Sequence, residues 1–187
     1  MVTTDRIGGS AEEVLLRQTL RLVAPGADLR DGLERILRGR TGALIVLERE
    51  TGLNDYIATG RVLNATLSVD LLGAIFYPGA PLHDGAVIVR GDKVIAAGCL
   101  LPLTSNPGIG TSIHTRHRAA LGLTEQSDAV VVVVSEETGS ISLSHNGRLI
   151  RGLREEGLRD RLVSLLEGTG ERADRGKHPV VRPAEGG

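Results

Sequence analysis

Residues 130–134 are five consecutive valines, the most β-branched run in the chain, and that run limits the possible folds more than any other stretch. Two heavy atoms on each Cβ stiffen χ1 and disfavour a helix, and an apolar run without alternation offers no side to water. It predicts a buried strand. Ala43 to Leu47, bounded by Gly42 and Glu48, predicts a second. Ala86 to Val89 and Val94 to Leu101 are apolar and joined by Gly91-Asp92, which predicts a hairpin. Ile141 to Ser144 follows a turn around Gly139, and Asn146-Gly147 then signals another hairpin before Leu149-Ile150.

Helical spacing surrounds these strands. Val14, Leu15, Leu16, Leu20, Leu22 and Val23 form a first helical pattern, ended by Pro25-Gly26. Asp28 is placed to cap a second helix carrying Leu29, Leu33, Ile36 and Leu37, which closes at Gly39. Ser68 caps a third through Leu71, Leu72, Ile75 and Phe76, stopped by Pro78-Gly79. A last helix bears Leu153, Leu158, Leu162, Val163, Leu165 and Leu166. Helices at both ends of a strand-rich middle predict an α/β fold, a single domain with a mixed central β-sheet flanked by helices. At 187 residues the chain suits one core, and with 2% aromatics that core is aliphatic. Residues 1–10 and 168–187, rich in Gly, Pro and charge, read as disordered ends around a domain spanning 11–167.

Charge and composition exclude several function classes. A formal net charge of -1 gives no global positive field to gather DNA or an anionic membrane, and scarce aromatics leave few platforms for single-stranded bases. Any anionic ligand needs a local cationic cluster. The single Cys99 rules out an internal disulfide and a Cys-rich metal framework, which fits a reducing compartment, and the cytoplasm is the expected location. No apolar run approaches the ~20 residues that span a bilayer, and the polar, acidic N-terminus does not read as an export signal.

Three segments carry residues suited to chemistry. In Pro81-Leu82-His83-Asp84-Gly85-Ala86 a loop feeds a strand, and a carboxylate there can hold a cation or draw a proton from a hydroxyl. Gly85 lets backbone come close to a neighbour; Asp-Gly is equally a common turn, and His83 alone reads as a hydrogen-bonded loop residue. Thr115-Arg116-His117-Arg118 enters a helix, Thr115 being a possible cap. Two arginines at the positive end of a helix dipole conflict with it unless an anion sits among them, so the segment is either a phosphate grip or a solvated basic patch. Ser135-Glu136-Glu137-Thr138-Gly139 ends the valine strand with acids that can complete a metal site or simply solvate a turn.

Taken together, Asp84-Gly85-Ala86 and Arg116-His117-Arg118, in this order, resemble the DGA and RHR hallmarks of the diadenylate cyclase (DAC) domain family. The stretches 42–53, 81–89, 101–103, 115–120 and 133–139 resemble its membrane-linked branch, and 23–47 resembles the start of its DNA-integrity-scanning branch. The resemblance covers roughly 14–166 and implies condensation of two ATP into cyclic di-AMP at a site shared by two protomers, hence a homo-dimer or higher homo-oligomer. It implies that Asp84 holds Mn²⁺ or Mg²⁺, with His83 and Glu137 as further metal candidates. Arg116, His117 and Arg118 would grip phosphates with Thr115 and Ser135, while Gly85, Ala86, Leu100 and Leu101 would contact the nucleotide. The transmembrane helices of one branch and the DNA module of the other are expected to be missing here. The family usually has Gly where this chain has His114 and often Tyr where it has Leu100. If residue 114 needs positive φ, the histidine is strained. The competing reading is a degenerate module that binds ATP or cyclic di-AMP without turnover.

Overall fold

The structure, a computed structural model, describes residues 10, 13, 14, 17, 21, 22, 24, 26–110, 113–166 and 180–181. Strands β1 (Ala43–Leu47) and β5 (Val130–Val134) are buried at every position. Their side chains alternate between two cores: Ala43, Ile45, Val130 and Val132 enter one, Leu44, Val46, Val131 and Val133 the other. A sheet covered on both faces needs apolar residues at consecutive positions, which is what the valine run supplies.

Among the described residues eight strands form one sheet in the order β2 (Arg61–Thr66), β4 (Lys93–Cys99), β3 (Ala86–Arg90), β1, β5, β6 (Ile141–His145), β7 (Arg148–Leu153) and β8 (Val180–Val181). Only β1 and β3 run parallel among the described strands. The first core lies under α1 (Asp28–Arg38), α3 (Val69–Ile75) and α5 (Glu155–Leu166) through Leu29, Leu33, Leu72, Ile75, Leu158 and Leu162. The second lies under α2 (Asn54–Ile57) and α4 (Thr115–Thr124) through Ile57, Ala119, Ala120 and Leu123. Each fully buried leucine contributes about 1.5–3 kcal/mol. The expected mixed sheet flanked by helices is therefore present.

Several local details differ from the sequence reading. Asp28 is the first residue of α1 rather than its cap: Ala27 holds the N-cap position without a side-chain bond, and Asp28 and Asp31 instead meet the helix dipole. Ser68 does cap α3, its Oγ accepting from the Leu71 N–H at 3.1 Å. Leu153 ends β7 instead of belonging to α5. Strand β2, largely exposed at the sheet edge, and the single-turn α2 have too little apolar pattern to be seen in sequence. Glu13, Val14, Arg17, Arg21 and Leu22 are helical, and Leu15, Leu16, Leu20, Val23 and Pro25 lie outside the described residues. The expected disordered end 1–10 lies outside them except for Ser10. Within the expected disordered tail, Val180 and Val181 pair with Ile150 and Leu149 of β7.

The register gathers the chemistry at one end of the sheet. Ala43 opposes Val134, and Ala86 opposes Cys99, so the entries to β1 and β3 meet the exits of β4 and β5. The Asp84 loop, the Leu100–Leu101 segment and the Ser135 turn therefore converge without long connections.

Candidate active site

That end of the sheet holds a cavity of about 660 Å³. Asp84 and Gly85 line it from the β3 side, Leu100, Leu101 and Leu103 from beyond β4, Thr115 to Arg118 from α4, and Ser135 to Glu137 from beyond β5. Asp84 and the two arginines therefore share one wall-to-wall space. Ala86 does not line it; it is fully buried in the core beneath α4.

The Asp84 side chain is 87% exposed. His83 donates its Nδ1–H to the Ala80 carbonyl at 2.6 Å, since a carbonyl can only accept. Its Nε2 lies 3.4 Å from Asp84 Oδ1. With Nδ1–H on the Ala80 carbonyl, a neutral ring would turn its Nε2 lone pair to the carboxylate, and that pair of acceptors would fit a shared divalent cation. Among the described residues no three His, Cys, Asp or Glu side chains converge, so such an ion would complete its shell with phosphate oxygens, as Mg²⁺ sites commonly do. Gly85 has φ +99°, and a Cβ there would fall 2.8 Å from the backbone of Gly98 and Cys99. Its lack of a side chain thus serves packing against β4, not only approach by a ligand.

Helix α4 begins with His114 as N-cap at φ −69°, ψ 164°, ordinary extended backbone, so the histidine is unstrained. Thr115 is the first helical residue rather than the cap. The first turn contains no acid. Compensation comes from the turn after β5: Glu136 Oε1 lies 3.5 Å from Arg116 Nη1, and Glu137 Oε2 lies 3.1 Å from His114 Nε2. The Arg116 guanidinium rests over Gly42, where a Cβ would meet Nη1 at 2.3 Å. Arg118 is exposed and reaches the Thr104 carbonyl at 3.4 Å. Ser135 Oγ accepts from the Thr138 N–H at 3.3 Å, which braces the turn.

His117 differs from its two neighbours. Only 4% exposed, it places Nε2 3.0 Å from the Ser142 hydroxyl of β6, while its buried Nδ1 has no hydrogen-bond partner. Burial above all, then the positive charges of Arg151, His114 and Arg116, push its pKa down to about 4. The imidazole is therefore neutral near pH 7, and the positive charge on the cavity wall comes from the arginines. A second bond along the same seam joins Thr124 Oγ1 and Ser144 Oγ at 2.7 Å. The other side of α4 is held just as closely. A Cβ on Gly122 would meet the Pro102 carbonyl at 2.1 Å, the Thr104 N–H donates to the Arg118 carbonyl at 3.0 Å, and Thr104 Oγ1 donates to Glu125 at 2.6 Å. Gly42, Ser142, Leu103 and Ile113 are site residues that sequence reasoning did not single out. Cys99 also lines the cavity, and burial pushes its thiol to about 11, so it is a neutral part of the wall.

Residues 30–149 match the sequence profile described as DAC, the nucleotide-binding family of the DisA bacterial checkpoint controller. The chain belongs to the DAC family. It is 51% identical over 123 residues to the cyclic di-AMP synthase CdaA of Bacillus subtilis (strain 168), covering 66% of this chain and 45% of that protein. It is 50% identical over 127 residues to a diadenylate cyclase of Listeria monocytogenes serotype 1/2a (strain 10403S), covering 68% and 46%. The chain thus spans under half the length of these two relatives. Its fold is similar to the crystal structure of DacA from Staphylococcus aureus, with a TM-score of 0.69 and 42% identity over 84% of this chain and 99% of that one. Among the described residues of this DAC protein, no helix is long and apolar enough to cross a membrane.

Proposed function

We propose that the chain is a diadenylate cyclase, a nucleotidyltransferase that joins two ATP molecules into cyclic di-AMP and releases two pyrophosphates at a site completed by a second copy of itself. The observation that carries this reading is the placement of Asp84, Arg116 and Arg118 around one cavity of nucleotide size. The names of the relatives support the choice of product.

In each half of the reaction a ribose 3′-hydroxyl attacks the α-phosphorus of the other ATP. The bond from that phosphorus to its bridging oxygen breaks, the hydroxyl proton leaves, and pyrophosphate departs. Arg116, braced by Gly42, and Arg118, at the open end of the same helix turn, offer forked donors to the triphosphate and stabilise the charge that grows on the leaving group. Backbone N–H groups at the start of α4 add to that field. The carboxylate of Asp84 stands where it can draw the proton from an incoming hydroxyl. Leu100, Leu101 and Leu103 present an apolar wall to adenine, by dispersion rather than ring stacking. Asp84 would hold Mn²⁺ or Mg²⁺ with His83 beside it, and such an ion would neutralise the triphosphate and polarise the phosphoryl group; Glu137, the other expected metal ligand, is paired with His114 and does not converge with them.

One cavity suits one ATP, so attack between two nucleotides requires two such cavities face to face, and assembly becomes part of positioning. Leu100 and Leu103 on the rim, 68% and 51% exposed, are the surface a facing copy would cover. Incubating the purified chain with ATP and Mn²⁺ or Mg²⁺ and weighing the products tests the proposal. A product with the mass of cyclic di-AMP is expected. ATP that binds and returns intact with either metal would overturn it and mark a binding module instead.

A further inference from the structure

Strand β7 carries one more residue than β6 at the active-site end of the sheet. Leu143 pairs with Ile150 and Ile141 with Leu153, so Arg151 and Gly152 together oppose Ser142. Gly152, at φ +73°, takes the left-handed conformation that accommodates such a bulge. Arg151 lies just before the extra residue and keeps the alternation of the strand behind it. Leu149 packs toward α4 with Leu121 and Ile113, whereas Ile150 and Leu153 enter the opposite core. Alternation therefore turns Arg151 to the α4 side of the sheet, the side on which Ser142 meets His117.

Ser142 is the residue that holds His117, so Arg151 flanks the His117–Ser142 pair from behind the cavity wall. Its side chain is half-buried, and no acid pairs with it among the described residues. A partly desolvated guanidinium without a counter-ion costs stability. The groups facing His117 are Arg116 of α4 and its N-cap His114, Arg151 from β7 and the Ser142 hydroxyl from β6. Burial is the main reason the ring resists protonation, and Arg151 is the next. A charged ring would repel both flanking guanidiniums and seek water; an uncharged one stays on Ser142.

We propose that Arg151 is a positioning residue of the cyclase site: it backs the His117–Ser142 pair with fixed positive charge, which keeps the ring seated and the first turn of α4, with Arg116 and Arg118, in one orientation. The catalytic part of this proposal rests on the cyclase reading above; the electrostatic part does not.

The test follows the His117 ring resonance by NMR titration in the full chain, with His117→Gln to assign it, for the wild type, Arg151→Met and Arg151→Lys. In R151M the affinity of His117 for a proton is expected to rise roughly threefold or more, about half a pKa unit, and in R151K to stay at the wild-type value. The acid limb of cyclic di-AMP synthesis should move to higher pH in R151M in step with that titration, with kcat falling more than the KM for ATP changes. R151K should retain the wild-type profile. An unmoved His117 titration in R151M overturns the proposal, as does a moved titration with an unmoved rate profile. If R151M does not fold, Arg151→Gln carries the same two readouts. A wild-type chain that makes no product overturns the cyclase reading, and the titration then judges the electrostatic claim alone.

Discussion

The guanidinium of Arg116 lies on the backbone of Gly42, so close that a methyl group at residue 42 would overlap it. The obstructing atom is the tip of a flexible side chain, so Gly42→Ala should be relieved by moving Arg116 rather than the strand. We expect a change in unfolding free energy below about 0.5 kcal/mol. Cyclic di-AMP turnover should fall on the order of 100-fold, the scale of a lost charge-stabilising donor. Denaturant melts and turnover of one preparation measure both, and unchanged turnover would remove Arg116 from the mechanism.

Gly85 predicts the reverse pattern. Its φ of +99° and the backbone of Gly98 and Cys99 beside it leave nothing flexible to yield. Gly85→Ala should destabilise the fold by about 2–4 kcal/mol, combining left-handed strain with overpacking. A shift of the urea midpoint at unchanged slope would show it.

Asp84 is almost fully exposed, so Asp84→Asn should melt within about 0.5 kcal/mol of the wild type. Product formation should fall by at least ~100-fold, because the amide can neither accept the proton nor hold a cation. Near-normal synthesis by this variant would sink the assignment.

Acid should weaken the fold through His117. Above about pH 7.5, a unit over its ordinary value, the ring is essentially neutral in both folded and unfolded chains and contributes no pH dependence. Between there and its folded value of about 4, the unfolded chain takes up a proton that the folded one refuses, so stability falls as pH drops. The loss approaches about 3–4 kcal/mol at most, from the gap between about 6.5 and about 4, and levels off below the folded value. Urea midpoints of wild type and His117→Gln from about pH 7.5 to pH 4 should diverge by that part alone.

The proposed facing arrangement of two cavities would make rate depend on assembly. Cyclic di-AMP formed per protomer should rise with protein concentration and then level off, and Leu100→Glu should push that rise to higher concentration by charging the rim. Specific activity that is flat throughout, matched against sedimentation of the same samples, would count against two facing copies.

Legibility followed burial and locality. The valine strand, β1 and the β3–β4 hairpin declared themselves because strands covered on both faces leave no room for polar interruption. The DGA and RHR segments were readable as chemistry only in combination: Asp-Gly alone is a common turn and a basic helix start alone can be a solvated patch, but the two in this order resemble the hallmarks of one family. Edge strand β2 escaped because Arg61, Asn64 and Thr66 face water and dilute its pattern. Gly42 and Ser142 escaped for another reason: their importance lies in what tertiary structure sets against them. His117 was grouped with the arginines as a phosphate grip because side-chain type says nothing of desolvation, which leaves its buried ring neutral.

Pro102 and Gly122 draw a last consequence. The carbonyl of one occupies the space where the other would carry a side chain, and Thr104 staples the same segment to Arg118 and Glu125. The leucines that would greet the purine and the arginines that would greet its phosphates are consequently parts of a single stiff bracket. An engineer who reshapes that bracket to admit a different nucleobase should find the anion grip dragged along, and selectivity and speed difficult to tune apart.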